Sequence, residues 1–257
     1  MDIVLSAHGG GGKLTEELIQ EVFLNEFDSD VLNEMEDSAV LDIDFNKLAF
    51  TTDSYTVKPL FFPGGDIGRL AVSGTINDLL MRGAVPLYLS ASFIIEEGFR
   101  LYDLKRIASS MARTCREAGV KIVAGDTKVV ARGDADGIFI NTSGAGYVPF
   151  GVNISVKNAK PGDKVIISGT IGDHGMAVLS SREDFTFDPP LESDCAPLVD
   201  IVNTLRSFGE SVRVLRDPTR AGVAEVLYNI SRASGVGIEI YEEKLPVKPQ
   251  VASACNM

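Results

Sequence analysis

Asp66-Ile67-Gly68-Arg69-Leu70-Ala71-Val72-Ser73-Gly74-Thr75-Ile76-Asn77-Asp78-Leu79-Leu80-Met81 is the stretch from which the rest of the chain can be read. At ~100° per residue, Ile67, Leu70, Ala71, Gly74 and Met81 share one face, which predicts a helix over 66–81. Asp78 falls about 20° from Ile67 on the same count, near the middle of that apolar face. A lone carboxylate there is costly to bury unless it is paired or metal-bound. Ala71 and Gly74 are small, so another group can approach the helix closely. A buried hydrogen-bonding Asp is the plain alternative.

Outward from this helix the pattern alternates between strand and helix. Ala39–Ile43 and Lys47–Thr52 read as strands, and Leu14–Glu26 before them reads as a helix. After it come a strand over Leu87–Ile95, a helix over Asp103–Ala118 stopped by Gly119, and strands over Val120–Ala124 and Gly137–Tyr147. The turn-rich run Lys157-Asn158-Ala159-Lys160-Pro161-Gly162-Asp163 marks the best boundary, giving domains over 1–156 and 157–257. Beyond it, strands are predicted at Lys164–Ser168 and Val236–Tyr241, and helices at His174–Ser181, Cys195–Ser207 and Arg220–Ala233. Pro249–Met257 starts like a helix and stops without a cap or breaker, so the second half reads as an incomplete α/β domain.

The 24 Lys and Arg against 36 Asp and Glu leave a formal charge of −12, which repels nucleic acid and anionic membrane surfaces. Bound phosphate would therefore need local dipoles or a metal ion. The N-terminus has no signal-peptide pattern, and no apolar run approaches a membrane span, so a cytoplasmic protein is expected. The three cysteines, Cys115, Cys195 and Cys255, have neither metal-knuckle nor redox spacing and read as reduced thiols.

Two groups of residues carry candidate chemistry. Gly9, Gly10, Gly11 and Gly12, followed by Lys13 and a helix, could bring backbone N–H groups against a phosphate, or could be a flexible arm. They do not form a Walker loop. Acidic residues recur at predicted element edges: Asp37, Asp53, Asp126 and Asp217, joined by Asp78. Carboxylates gathered in that way suit a hard cation such as Mg²⁺, although each alone reads as a cap or turn residue. His174, in Gly172-Asp173-His174-Gly175, could face a substrate or begin a helix, and Arg220 could contact a phosphate or a neighbouring acid.

Together these residues resemble the ATP-binding superfamily of aminoimidazole ribonucleotide (AIR) synthetase, which is known for the two-domain PurM-like fold. The shared marks are Asp37-Ser38-Ala39, Thr52-Asp53, Asn77-Asp78, Gly125-Asp126-Thr127 and Asp217-Pro218-Thr219-Arg220. Within it, Ala7-His8-Gly9-Gly10-Gly11-Gly12, Pro59-Leu60-Phe61-Phe62-Pro63-Gly64-Gly65 and Ser168-Gly169-Thr170-Ile171-Gly172-Asp173-His174-Gly175 resemble the HypE family of NiFe-hydrogenase maturation factors.

The resemblance implies a homodimer whose N-terminal strands share a β-barrel. It implies Mg·ATP held by Asp37, Asp53, Asp78, Asp126 and Asp217, with Asn77, Thr127, Thr219 and Arg220 nearby and the Gly loop with Lys13 closing over the nucleotide. Asp78 and His174 are the candidate catalytic residues. The implied reaction is ATP-dependent dehydration of a carboxamide on a C-terminal Cys thiol to a thiocyanate. The implied partners are a HypF-like carbamoyltransferase and a HypC–HypD complex. Two departures stand out, the family's Pro-Arg-x-Cys tail, which is not in this sequence, and its Asn-Glu-Gly segment, which here breaks off at Met257; a smaller one is Ala221 in place of a common Gly. A kinase or synthetase on the same fold, like selenophosphate synthetase or thiamine-monophosphate kinase, and a non-catalytic maturation scaffold are the alternatives.

Overall fold

The computed structural model describes residues 3–9, 13–29, 44, 47–183, 185–219 and 222–255. Its centre is a four-stranded sheet, in the order β1 (Leu48–Tyr55), β6 (Ile138–Tyr147), β4 (Val85–Glu96), β5 (Lys121–Val130). The β1/β6 and β6/β4 pairs are antiparallel and β4/β5 is parallel. The parallel pair needs a crossover, supplied by α3 (Leu101–Ala118). Two short strands, β2 (Phe61–Phe62) and β3 (Gly65–Asp66), form a hairpin just before α2 (Ile67–Leu80).

The helices lie on one face of the sheet. On α3 the residues Leu104, Ile107, Ala108, Met111 and Cys115 are buried, the i, i+3, i+4 stripe of an amphipathic helix. Gly119 ends it in the left-handed region at φ 68°, which a glycine adopts without steric cost. α2 is different. Asp66 caps it, accepting from the Gly68 and Arg69 N–H groups at 2.7 and 3.0 Å. The helix is then buried on nearly every side, with Leu70, Gly74 and Asp78 as its more open line. Asp78 thus lies on that open line rather than at the centre of a sealed face. Ile67, Ile76, Leu80, Leu104, Ile107, Ile95 and Ile138 anchor the core, each at 1% exposure or less and each contributing roughly 1.5–3 kcal/mol by burial.

On β6, Ile138, Ile140, Thr142, Gly144 and Gly146 point inward and alternate with half-exposed residues. A Cβ at Gly144 would sit 2.9 Å from Thr75 Cγ2, so the bare backbone there lets α2 approach the sheet. The opposite sheet face exposes Leu48 at 57%, Phe50 at 68% and Ile94 at 43%.

At the N-terminus, the chain runs through a helical stretch of α1 (Lys13–Leu18), a π-helical segment Ile19–Leu24 and a short turn Asn25–Phe27. The predicted strand Ala39–Ile43 lies outside the described residues. Beyond the connector 157–163 come α4 (Asp173–Arg182), α5 (Val199–Arg206), α6 (Gly222–Ser234) and α7 (Pro249–Cys255). Among the described residues no strand follows Tyr147. The predicted strands Lys164–Ser168 and Val236–Tyr241 have no ladder, and Ile166 and Ile240 are 86% and 52% exposed. Strand-forming composition needs a paired strand alongside to become a strand, and among the described residues these segments have none. The helix predicted at Cys195–Ser207 begins later, at Val199: Pro197 disfavours helical backbone at Ala196, and Leu198 is the cap, with its own backbone outside the helical region.

Candidate functional site

β1 and α2 build the site. Alternation along β1 turns Ala49, Thr51, Asp53 and Tyr55 inward, toward α2. Thr51 Oγ1 donates to Asp78 Oδ2 at 2.8 Å. One turn earlier on α2, the Tyr55 hydroxyl meets Thr75 Oγ1 at 3.2 Å, and Thr75 in turn hydrogen-bonds Thr142 on β6. Thr142 Oγ1 also donates to the Ala71 carbonyl at 3.1 Å. Three elements are therefore pinned by one buried hydroxyl network just beneath the two carboxylates. Burial drives the Tyr55 phenol far above its ordinary range, and the Asp53 and Asp78 charges push the same way, so this hydroxyl stays protonated.

The second half of the chain brings the third acid. Asp217 lines a cleft of about 310 Å³ with Thr51, Asp78, Arg82 and Arg216. Its carboxyl is shifted above the ordinary carboxylate range, first by burial and next by the Asp78 charge, with Asp53 adding to it. Asp53, Asp78 and Asp217 are thus one electrostatic neighbourhood, joined from both halves of the chain. Among the described residues no three His, Cys, Asp or Glu side chains are close enough to form a preformed metal cage. Carboxylates that repel one another, beside a hydroxyl oxygen, are nonetheless the donor set a hard divalent cation suits.

The other predicted residues are placed as follows. Asp126 sits inside β5 rather than at a strand end, paired in register with Ser92 on the outer, solvent-facing side of the sheet. Its Oδ1 accepts the Thr127 N–H at 2.9 Å, a purely local bond. A register shift between Leu89 and Ser90 separates the expectation from the outcome: the side of the sheet on which Asp126 emerges depends on this irregularity. Thr127 is on the same strand, half-buried. Neither joins the cleft. Thr219 is exposed and its N–H bonds the Asp217 carbonyl at 3.1 Å. Gly9 closes a 3-10 turn (Ser6–Gly9) and Lys13 opens α1. Asp37, Gly10, Gly11, Gly12 and Arg220 lie outside the described residues.

His174, on α4, stands apart from the acidic cleft. Its Nδ1 is 2.9 Å from Ser193 Oγ, and its ring meets Phe62 edge-on at 5.3 Å. Desolvation lowers its pKa, partly opposed by Asp194. Phe62 and Ser193 border a second, larger cavity of about 610 Å³ near the start of α2, into which Arg69, Arg106 and Arg113 project. None of the clustered carboxylates lines it.

Asn77 is not free to meet a ligand: its Nδ2 donates to the Ala196 carbonyl at 3.0 Å and its Oδ1 accepts the Leu198 N–H at 2.9 Å. Sequence reasoning missed Thr51 and Arg216. Thr51 was available in principle, since a residue two before Asp53 shares its strand face. Arg216 adjoins Asp217 and needed only the cleft to show its relevance.

The fold and this cleft define a class, the AIR synthase-related proteins. Its N-terminal-domain model matches residues 35–148 and its C-terminal-domain model matches residues 160–256. More narrowly, the chain belongs to the family of carbamoyl dehydratase HypE. It is 54% identical to carbamoyl dehydratase HypE of Rhizobium leguminosarum bv. viciae, over 97% of this chain and 72% of that one. Against the same-named protein of Escherichia coli K12 it is 46% identical over the whole chain and 78% of the relative. A crystal structure of the hydrogenase maturation protein HypE in complex with ATP superposes with a TM-score of 0.95 at 46% identity, covering 98% of this chain and 75% of that one. The structure of a HypE–HypF complex matches at 62% identity and a TM-score of 0.80, covering 95% and 78%. A thiamine-monophosphate kinase from Stenotrophomonas maltophilia, at 20% identity and a TM-score of 0.66, shares the fold alone.

Proposed function

We propose that this chain is an ATP-dependent carbamoyl dehydratase that turns a carboxamide on a cysteine thiol into a thiocyanate. The single observation carrying this beyond the family membership is the meeting of Asp78 and Asp217 in one cleft between the two halves, with the Asp53 charge felt at Asp217. An amide oxygen is a poor leaving group. Transfer of the γ-phosphoryl group of ATP onto that oxygen makes it a good one. Loss of phosphate and of the two amide protons then leaves the C≡N triple bond on sulfur.

The chain's own groups hold and orient. Asp78 and Asp217 would hold Mg²⁺, with Asp53 adding its charge nearby; when bound, the ion would neutralise phosphate charge. Thr51 fixes one rotamer of Asp78. Arg82 and Arg216 line the same cleft and can take phosphate oxygens. Asp37, Asp126, Thr127, Thr219, Arg220 and the loop Gly9–Gly12 with Lys13 are proposed from the family motif; Asp126 reaches a nucleotide only from the outer face of the sheet. That face, with Leu48, Phe50 and Ile94 exposed, is the surface on which a second copy would complete the proposed barrel. A HypF-like carbamoyltransferase is the proposed supplier of the carboxamide, and a HypC–HypD complex the proposed recipient of the cyanide group. No helix among the described residues is long and apolar enough to cross a membrane.

The test is calorimetric titration with ATP, with and without Mg²⁺, on the wild type and Asp78→Asn. Tight binding that needs Mg²⁺ and is weakened by Asp78→Asn supports the reading. Equal binding by both proteins would refute the metal assignment. Phosphate release stimulated by a peptide bearing S-carbamoyl cysteine, with a nitrile infrared band appearing on the peptide, tests the chemistry itself.

A further inference from the structure

Asn77 and Asp78 are neighbours on α2, so their side chains leave the helix ~100° apart. Asp78 faces the acidic cleft. Asn77, 9% exposed, faces the second half of the chain. Its carboxamide grips the segment before α5 at two points that bracket Pro197: the Ala196 carbonyl at 3.0 Å and the Leu198 N–H at 2.9 Å. Proline has a fixed φ and no N–H, so the gripped tripeptide is stiff and presents a single donor on this side. The amide orientation follows from its partners, since a flipped amide would face donor to donor and acceptor to acceptor.

The grip is one end of a longer tie. Leu198 is the residue capping α5, and Val202 on α5 is 1% exposed in the main core. At the far end of α5, Arg206 Nε donates to the Gly83 carbonyl at 3.3 Å, and its Nη2 bonds the Ala84 carbonyl just beyond the end of α2. Arg69 adds a bond from Nε to the Cys195 carbonyl at 2.9 Å. α5 is therefore held at both ends against the half of α2 that carries Asp78. The chain leaving α5 reaches Asp217 after a short connection whose Leu215 packs on the same core.

We propose that Asn77 is a positioning residue: with Arg206 it latches α5 to α2 and so sets the separation of Asp217 from Asp78. The proposal rests on the Mg·ATP reading above for its functional consequence, but the latch itself can be read without nucleotide.

Hydrogen exchange on the nucleotide-free chain tests the latch. In Asn77→Ala the Leu198 amide should lose protection while amides within α2 keep theirs. Titration tests the consequence. Asn77→Ala should bind Mg·ATP about tenfold more weakly, two lost hydrogen bonds being enough, while binding of metal-free ATP changes less than about twofold because it does not need the two carboxylates at a fixed separation. Arg206→Met, at the other end of α5, should shift Mg·ATP binding the same way, and the double variant should lose less than the sum of the singles. It also serves if Asn77→Ala does not fold. Unchanged Leu198 protection would overturn the latch. Lost protection with unchanged Mg·ATP affinity would overturn the positioning role. Equal weakening with and without metal would mean that Asn77 acts on the nucleotide or on folding in general, and would overturn it as well. A wild type that fails to bind Mg·ATP would overturn the functional reading and the positioning role with it, leaving the latch result standing as a structural tie.

Discussion

The Thr51 hydroxyl donates to the Asp78 carboxylate at 2.8 Å, across the contact between an edge strand and a helix. The bond points the carboxylate into the cleft shared with Asp217. Thr51→Val keeps the shape and removes only the donor. A hydrogen bond to a charged group is worth about 1.5–3 kcal/mol, so the thermal midpoint should fall by several degrees and, with Asp78 released from its rotamer, Mg·ATP affinity should fall about tenfold. Titration calorimetry and a melting curve on one sample check both.

Gly74 faces the Tyr55 ring so closely that a Cβ would stand 2.4 Å from the hydroxyl oxygen. Gly74→Ala should therefore destabilise the fold by roughly 1–3 kcal/mol despite the better helix propensity of Ala. Tyr55→Phe in the same background removes the clashing oxygen and should recover part of the loss. Denaturant midpoints of the three proteins decide it.

His174 contributes a pH dependence whose sign follows from its lowered pKa. The folded chain keeps the ring neutral to a lower pH than the unfolded chain does. Between the ordinary value of 6.5 and the lower folded value, the unfolded state takes up the extra proton. Stability is retained above about 6.5 and falls as the pH drops through that window. The urea midpoint of the wild type should drop more from pH 7.5 to pH 5.5 than that of His174→Asn. Equal drops would remove His174 as the cause.

The thiols separate by environment. Burial pushes Cys115 up to about 12 and Cys195 up to about 11, whereas Cys255 is exposed. Since the thiolate is the nucleophile, a maleimide at neutral pH should label Cys255 rapidly in the native chain and all three cysteines in denaturant. Peptide mass mapping reads the sites. Rapid native labelling of Cys115 would contradict the packing of α3.

Much of the fold's skeleton was legible from local pattern. The helix over 66–81 and its acidic start appear with Asp66 as the cap, and Gly119 ends the next helix as expected. Such signals are short-range: a cap and a left-handed stop each involve only a few residues. The strand predicted at Val120–Ala124 runs on as Lys121–Val130, through Gly125 and Asp126, residue types that are depleted in strands and so hid its length. The site was half legible. Asp53, Asp78 and Asp217 were each singled out, yet nothing in spacing required them to meet.

By itself, then, the sequence determined the periodic elements of the first half, the acidic character and the family motifs, because these depend on neighbouring residues and on composition. Tertiary structure decided the rest. It sent Asp126 to the outer face through a register irregularity in the sheet. Among the described residues it left 164–168 and 236–241 without ladders, since a strand needs a partner. It also turned Asn77 away from the cleft and onto Ala196 and Leu198, more than a hundred positions along the chain. Contacts at that sequence separation form only when the packed core brings the two halves together, and no local pattern encodes which of two adjacent polar side chains will face the cleft.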